Sequence, residues 1–341
     1  MKAKHYFAAG NTGEGFYNCF DFVNDKRRDG FKYVLKGAPG TGKSTLMKKI
    51  GRHFEDRGES VEYFHCSSDP QSMDGVRLVS ANVSVADGTA PHSSEPSLPG
   101  IDGKIVDLGS CIDARVKKHK AEIEKLSEEK AKCFNAAYSH LRSAAEIERA
   151  NKQMLAEFLD ERAVTEAAGF VCGKYVENCS EKKKWKRKLF LSAVSGGGTV
   201  DLLGENDYEK TISLNGTGFA AKAVLKEIAR ELQCNFTAFC SLLNPDEIAG
   251  LEIENTLIKA NLQDATEQVD LGKILLTGWK RSKDEILYGE QLIAQTLSLA
   301  AKKISLAKQL HGEIENYYIK HTNFTQIDRI CAELICKLQG E

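Results

Sequence analysis

The stretch Gly37-Ala38-Pro39-Gly40-Thr41-Gly42-Lys43-Ser44 spaces its residues as G-x-x-x-x-G-K-S, and that spacing constrains the rest of the chain. Glycines let the backbone curl until successive N–H groups converge on an anion. A lysine at the sixth step can reach the outer phosphates, and the hydroxyl of Ser44 suits Mg²⁺. A helix opening at this point adds its positive end. The flanks fit. Phe31 to Leu35 reads as a strand, and Leu46, Met47, Ile50 and Phe54 repeat at helical spacing before a stop at Gly58. Strand, loop and helix stand in the order that a phosphate cradle of residues 37–45, Thr45 included, requires.

The chain has 341 residues, enough for two or three domains, and a formal net charge of −1. So balanced a charge makes nucleic acid an unexpected partner. The N-terminus shows no signal peptide and no stretch approaches a membrane span, so a cytoplasmic setting is expected. Ten cysteines lie scattered without paired spacing and read as reduced, mostly buried thiols. His65, Cys66 and His92 do not match a zinc pattern and read as structural.

Residues 5 to 9 suggest a short strand. Gly10 to Gly15 then reads as a hairpin turn, with nucleotide contact as the alternative. Tyr17 to Val23 fits a returning strand or a short helix. Val61 to Cys66 reads as the second core strand, ending in Ser67-Ser68-Asp69-Pro70. Asp69 sits where an acid can orient a water or a substrate hydroxyl, or else it caps a helix beginning near Pro70. Val83 to Thr89 is a half-alternating strand whose acid, Asp87, suits Mg²⁺ binding. Asp107, ending the run from Lys104, competes, but the small residues after Asp87 leave more room for a ligand. The Pro- and Ser-rich stretch from Thr89 to Gly100 reads as a long lid or substrate loop.

From Asp113 to about Ser180 prolines vanish. Val116, Ile123, Leu126, Phe134, Ala137, Leu141 and Ala144 form an apolar stripe, predicting an antiparallel arm of long helices. Such an arm packs on its core or offers a surface to a protein partner. The basic run from Lys182 to Lys188 reads as a solvated helix end, with binding of phosphate, nucleic acid or an acidic partner as the alternative.

After Lys188 the landmarks recur. Leu189 to Ala193, followed by three glycines at 196–198, echoes the first strand and turn. Thr211 to Asn215 echoes the strand before the loop, and Gly216 to Ala223 stands where the loop should be. There Ala221 replaces the second glycine and Ala223 replaces the hydroxyl. Cys240 to Pro245 echoes 66–70 with Asn244 for Asp69, and Gly250 echoes Gly75. Leu262 to Thr266 echoes Val85 to Thr89, and Gly272-Lys273-Ile274 echoes 103–105. The second loop should turn over nucleotide poorly or not at all, with Lys222 as a solvated residue on the first helical turn and a phosphate contact as its alternative. The expected division is a core at 1–112, an arm at 113–187, a degenerate core at 188–283 and a second arm at 284–341.

The loop and its flanks resemble the P-loop NTPase superfamily. The whole chain resembles an uncharacterised bacterial group of tandem P-loop ATPases with a degenerate second copy. It carries that group's F-A-x-G-N-T at 7–12, G-x-P-G-T-G-K-S-T at 37–45, H-C-S-S-D-P at 65–70 and D-G-T-A-P-H at 87–92. The resemblance implies an α/β fold of two tandem NTPase-like domains, each a mainly parallel sheet flanked by helices and followed by a helical arm. It also implies ATP binding with Mg²⁺ in the cytoplasm. The expected machinery is Lys43 on the γ-phosphate, Ser44 and Asp87 on Mg²⁺, and Asp69 orienting water. The expected activity is an ATPase, with a small-molecule or nucleotide kinase, or an ATP-gated interaction module, as alternatives. ATP is preferred over GTP because no N-K-x-D run appears. Arg77 and Arg115 are candidate arginine fingers, and the oligomeric state stays open.

Overall fold

A computed structural model describes residues 3–91, 95–176 and 186–340. It shows two α/β repeats with one topology. The first contains β1 (Lys4–Tyr6), β2 (Ala9–Thr12), β3 (Gly15–Asn18), β4 (Phe31–Lys36), α1 (Lys43–Glu55), β5 (Val61–His65), β6 (Met73–Leu78), β7 (Val83–Asp87) and β8 (Gly103–Asp107), followed by α2 (Lys120–Ala156) and α3 (Glu161–Tyr175). The second contains β9 (Lys186–Leu189), β10 (Ser192–Ser195), β11 (Gly198–Asp201), β12 (Lys210–Asn215), α4 (Gly218–Glu231), β13 (Phe236–Cys240), β14 (Ile248–Ile253), β15 (Thr256–Ala260) and β16 (Glu267–Asp270), followed by α5 (Lys283–Ile319) and α6 (Phe324–Leu338).

The first sheet runs β1-β5-β6-β7-β4-β8 and the second runs β9-β13-β14-β15-β12-β16, the same order strand for strand. Each is mixed and mostly parallel. β4 lies between parallel β7 and β8, while β6 runs antiparallel to both its neighbours. The two long helices have 37 residues each and the two short ones 15 each. The expected tandem α/β architecture is therefore present.

Several local expectations change. No helix follows Pro70. A turn closed by the Ser72 N–H on the Asp69 carbonyl at 2.8 Å leads directly into β6. β6 escaped the sequence reading because Asp74, Gly75 and Arg77 are poor strand formers. All six of its residues are nevertheless buried, and Arg77 enters the core by pairing with Glu62 at 3.1 Å. Gly10 to Gly15 is the β2–β3 hairpin, and the chain beyond it is both candidates in turn, a strand to Asn18 and then a 3₁₀ turn at Phe20–Phe22. Lys186 to Lys188 opens β9 rather than ending a helix, with Arg187 buried. The remainder of that basic run, and His92, lie outside the described residues.

Two of the echoes are out of register. Leu35 pairs with Asp87 in the first sheet, and its counterpart Leu214 pairs with Ala260 in the second, so Ala260 and not Asp264 stands in the place of Asp87. Likewise Asp270 corresponds to Asp107, since they pair with Asn215 and Lys36. Each carboxylate accepts from the N–H of a glycine two residues on, Gly272 and Gly109.

The arms do not stay with their own cores. α2 packs along α5, antiparallel, as the contacts His119 to His321, Lys130 to His311 and Asn151 to the Ile286 carbonyl show. α3 delivers Val164, Ala168 and Val171 into the core of the second repeat, against Ala220, Val224 and Ile228 of α4. α6 delivers Ile327, Cys331, Leu334 and Leu338 into the core of the first, against Leu46, Met47 and Ile50 of α1. The repeats have exchanged their helical arms about a pseudo-twofold axis. On that axis Phe7 and Phe190 trade two backbone hydrogen bonds of 2.9 Å. The crossings are paired too: Asp113 N–H bonds the His321 carbonyl and Leu276 N–H bonds the Phe158 carbonyl, both at 2.8 Å. Among the described residues no helix is long and apolar enough to cross a membrane.

Candidate functional site: the loop between β4 and α1

β4 is a hydrophobic central strand, with Tyr33, Val34 and Leu35 buried, and it ends at Lys36 where the loop begins. Gly40 and Gly42 take φ of +75° and +80°, the left-handed region that costs a side chain strain and glycine almost nothing. Thr41 ties the curl inside by donating its hydroxyl to the Ala38 carbonyl at 2.8 Å. α1 then starts at Lys43. Lys43 is mostly buried. Its ammonium donates to the carbonyls of Gly37 at 2.7 Å and Ala38 at 3.1 Å, and Asp87 lies 3.8 Å away. The lysine is thus folded back onto the carbonyls of its own loop.

Ser44 accepts from the Met73 N–H at 2.9 Å, linking the helix start to β6. Asp87 ends β7 beside β4 and accepts from the Thr89 N–H at 2.7 Å, while the Thr89 hydroxyl returns to the Gly37 carbonyl. Thr45 is exposed on the first turn of α1. The structure thus gathers Gly37 to Ser44 and Asp87. Asp107 instead points to solvent on the far side of β4, bonded to Gly109. Arg77 is committed to Glu62 and Asn82, and Arg115 to Asp113. His65 binds the Pro70 carbonyl and His5, and no metal-ligating cluster occurs among the described residues.

Asp69 is reached from an unexpected direction. Lys308 of α5 pairs with it at 2.8 Å, and Ser72 donates to its other oxygen. Burial pushes the Asp69 carboxyl up, but these two donors outweigh it and hold the group below the usual range. One turn further along α5, His311 is driven down to about 4, first by burial and then by the ammonium groups of Lys130 and Lys43. Glu315 is raised by burial, with the Gly40 backbone N–H and Lys43 pulling partly back. The carbonyl of Glu315 and the side chain of Ile319 stand 2.9 Å from where a Cβ on Gly40 would project, and the Phe324 ring stands 3.7 Å from that point on Gly42. Sequence reasoning missed this wall. The apolar stripe of Ala300, Ile304 and Ala307 runs on to Ile314, and Lys308, His311 and Glu315 flank it, partly exposed, which left no clear mark in the sequence.

The corresponding place in the second repeat is shut. α4 begins at Gly218, four residues before Lys222, so the segment that would form the loop is helix, capped by the Thr217 hydroxyl on the Ala220 N–H. The Ala220 and Ala221 N–H groups are already taken by the hydroxyl and carbonyl of Thr217, and no glycine curl precedes them. Lys222 is not solvated as expected. It pairs with Glu148 of α2 at 2.6 Å and Glu247 at 3.0 Å, with Lys152 bridging the same carboxylates.

Residues 11–83 match the family model described as Nephrocystin 3, N-terminal. The match runs from within β2 to the first residue of β7, taking in the loop and Asp69 and stopping short of Asp87. No curated protein and no solved structure matches the chain.

Proposed function

We propose that the first repeat binds a nucleoside triphosphate, ATP by preference, on residues 37–45 and hydrolyses it, and that the second repeat is a pseudo-site. The observation carrying this is the contrast between two equivalent lysines. Lys43 follows a glycine loop that is not helical and rests on carbonyls that a phosphate can replace, whereas Lys222 is neutralised by two carboxylates on a loop that has become helix. The match over residues 11–83 covers the same glycine loop.

Ser44 and Asp87 offer only oxygen donors, the ligands Mg²⁺ takes, and would hold the ion. When bound, it supplies positive charge to the phosphate oxygens. The loop amides and Lys43 stabilise the charge that develops as the γ-phosphoryl group transfers. Asp69 orients the attacking water. The new bond joins water oxygen to γ-phosphorus, the β–γ bridging bond breaks, and the water proton leaves with the phosphate product. A second substrate held beside the largely exposed residues 95–100 would make the protein a kinase, the alternative reading. The packing of α5 across the loop favours a second reading in which nucleotide binding moves the arm and gates a protein partner.

The test is phosphate release from MgATP by the wild type and Lys43→Ala, with a thermal-shift titration of each. A ligand bound to the folded state alone raises its melting temperature. Lysine-dependent release is expected. Stabilisation without release would favour the gated module, and a Lys43→Ala variant that binds and hydrolyses like wild type would overturn the assignment.

A further inference from the structure

We infer that Phe324 and Ile319, delivered by the arm of the second repeat, form the surface on which the base of the nucleotide packs. This rests on the nucleotide reading of residues 37–45 and assigns it a second binding element. Phosphates held by the amides of a loop and the N-terminus of α1 place the rest of the nucleotide outside the loop, beyond Gly42 and Thr45. The base is a flat, largely apolar ring and needs an apolar or aromatic face there.

The arm supplies that face at the right end. Lys308, Glu315 and Ile319 follow one line of α5, and the distance from Lys308 to Ile319 is roughly 16 Å at helical rise. Chemistry changes along it. Lys308 lies at Asp69, where the outer phosphate is expected. Ile319 and Phe324 lie at Gly40 and Gly42 and are 44% and 41% exposed. α6 buries Ile327, Cys331, Leu334 and Leu338 in the core of the first repeat, yet its first residue, Phe324, stays outside that core against the loop. A large aromatic side chain left half in water beside a polar loop offers a face on which a flat ring can stack.

The other arm provides an internal control. α2 ends at Ala156 and α3 begins at Glu161, the places taken by Ile319 and Phe324 in α5 and α6. At these two positions the arm beside the second loop carries a methyl group and a carboxylate, its own aromatic ring, Phe158, being packed with Phe219 on the Leu155, Leu275 and Ile286 cluster, whereas the arm beside the first loop carries an aliphatic side chain and a half-exposed aromatic ring.

Base stacking on an aromatic side chain changes affinity by roughly ten- to a hundredfold on alanine substitution. The test is calorimetric titration of the full chain with MgATP and, separately, with inorganic tripolyphosphate and Mg²⁺. Phe324→Ala should weaken ATP about tenfold or more and leave tripolyphosphate unchanged. Phe324→Trp should retain ATP affinity and report it by quenching of the new indole, and Ile319→Ala should follow Phe324→Ala more weakly. Equal loss for both ligands, no loss for either, or wild-type protein binding tripolyphosphate as tightly as ATP would overturn the inference while leaving the phosphate loop standing. Wild-type protein that binds neither ligand would overturn the nucleotide reading and this inference with it.

Discussion

Lys222 donates to Glu148 across 2.6 Å, and Glu148 belongs to α2, the arm of the opposite repeat. The same exchange places α5 of the second repeat over the lysine of the first, but there Glu148 is answered by His311 and Lys152 by Glu315. A directly paired carboxylate has been traded for a neutral imidazole. The two repeats therefore share a scaffold and differ in whether the crossing helix saturates the loop lysine. Lys222 is held by carboxylates of the crossing helix and of its own repeat, whereas Lys43 is held by its own loop carbonyls, with Asp87 3.8 Å away.

Lys222→Met should leave Lys152 as the cation paired with Glu148 and Glu247. We expect a loss of about 2 kcal/mol in urea unfolding, below the range for fully buried pairs because these side chains keep some solvent. Phosphate release should be unaffected. Coupling between Lys222→Met and Glu148→Gln in a double-mutant cycle would confirm the pair, and strict additivity would count against it.

Leu334→Ala removes a side chain that is 3% exposed and lies in the core of the first repeat although it belongs to the last helix of the second. A cost of about 3 kcal/mol is expected for a buried leucine. Native-state hydrogen exchange should show lost protection in α1 and β4 before α4 and β12. Val171→Ala in α3 should give the mirror result. Protection lost first in the sheet of the same repeat would contradict the exchange of arms.

Glu62 joins the repeats. It receives Arg187 from β9 at 2.7 Å and Arg77 at 3.1 Å. Burial opposes its charge, but the two guanidinium groups outweigh burial and bring it down to about 2. A carboxyl with a depressed folded pKa adds stability above its unfolded value, near 4.5, and loses it as pH falls from there through 2. The contribution is on the order of 3 kcal/mol. Stability measured from pH 7 to pH 2.5 should fall most steeply below pH 4.5, and Glu62→Gln should flatten that limb while lowering stability at pH 7.

Asp87→Asn and Asp69→Asn should each cut phosphate release by roughly a hundredfold or more, the scale of a lost charge or acid–base group. Asp107→Asn should leave it unchanged, since Asp107 is turned to solvent and occupied with Gly109. Steady-state release by the three variants separates them, and a crippled Asp107→Asn beside an active Asp87→Asn would reverse the choice of acid.

The loop, its strand and its helix were legible because phosphate geometry demands glycine, lysine and hydroxyl at fixed local spacing. The repeat was legible because two copies of one fold keep their landmarks in order. Its register was not. Ala260 stands for Asp87 by backbone pairing across β12 and β15, which leaves no mark on the order of residues along one strand. β6 was hidden because its charge is cancelled by Glu62, which lies on a neighbouring strand.

Local sequence thus determined the α/β class, the glycine cradle at 37–45 and the loss of glycine and hydroxyl at 216–223. Tertiary structure decided which repeat each arm serves, and so brought Lys308, His311, Glu315, Ile319 and Phe324 to a loop that lies hundreds of residues away in the chain. An amphipathic helix declares that it needs an apolar partner but not which one. Two equivalent cores were on offer, and only the packing of α2 along α5 about Phe7 and Phe190 settled the exchange.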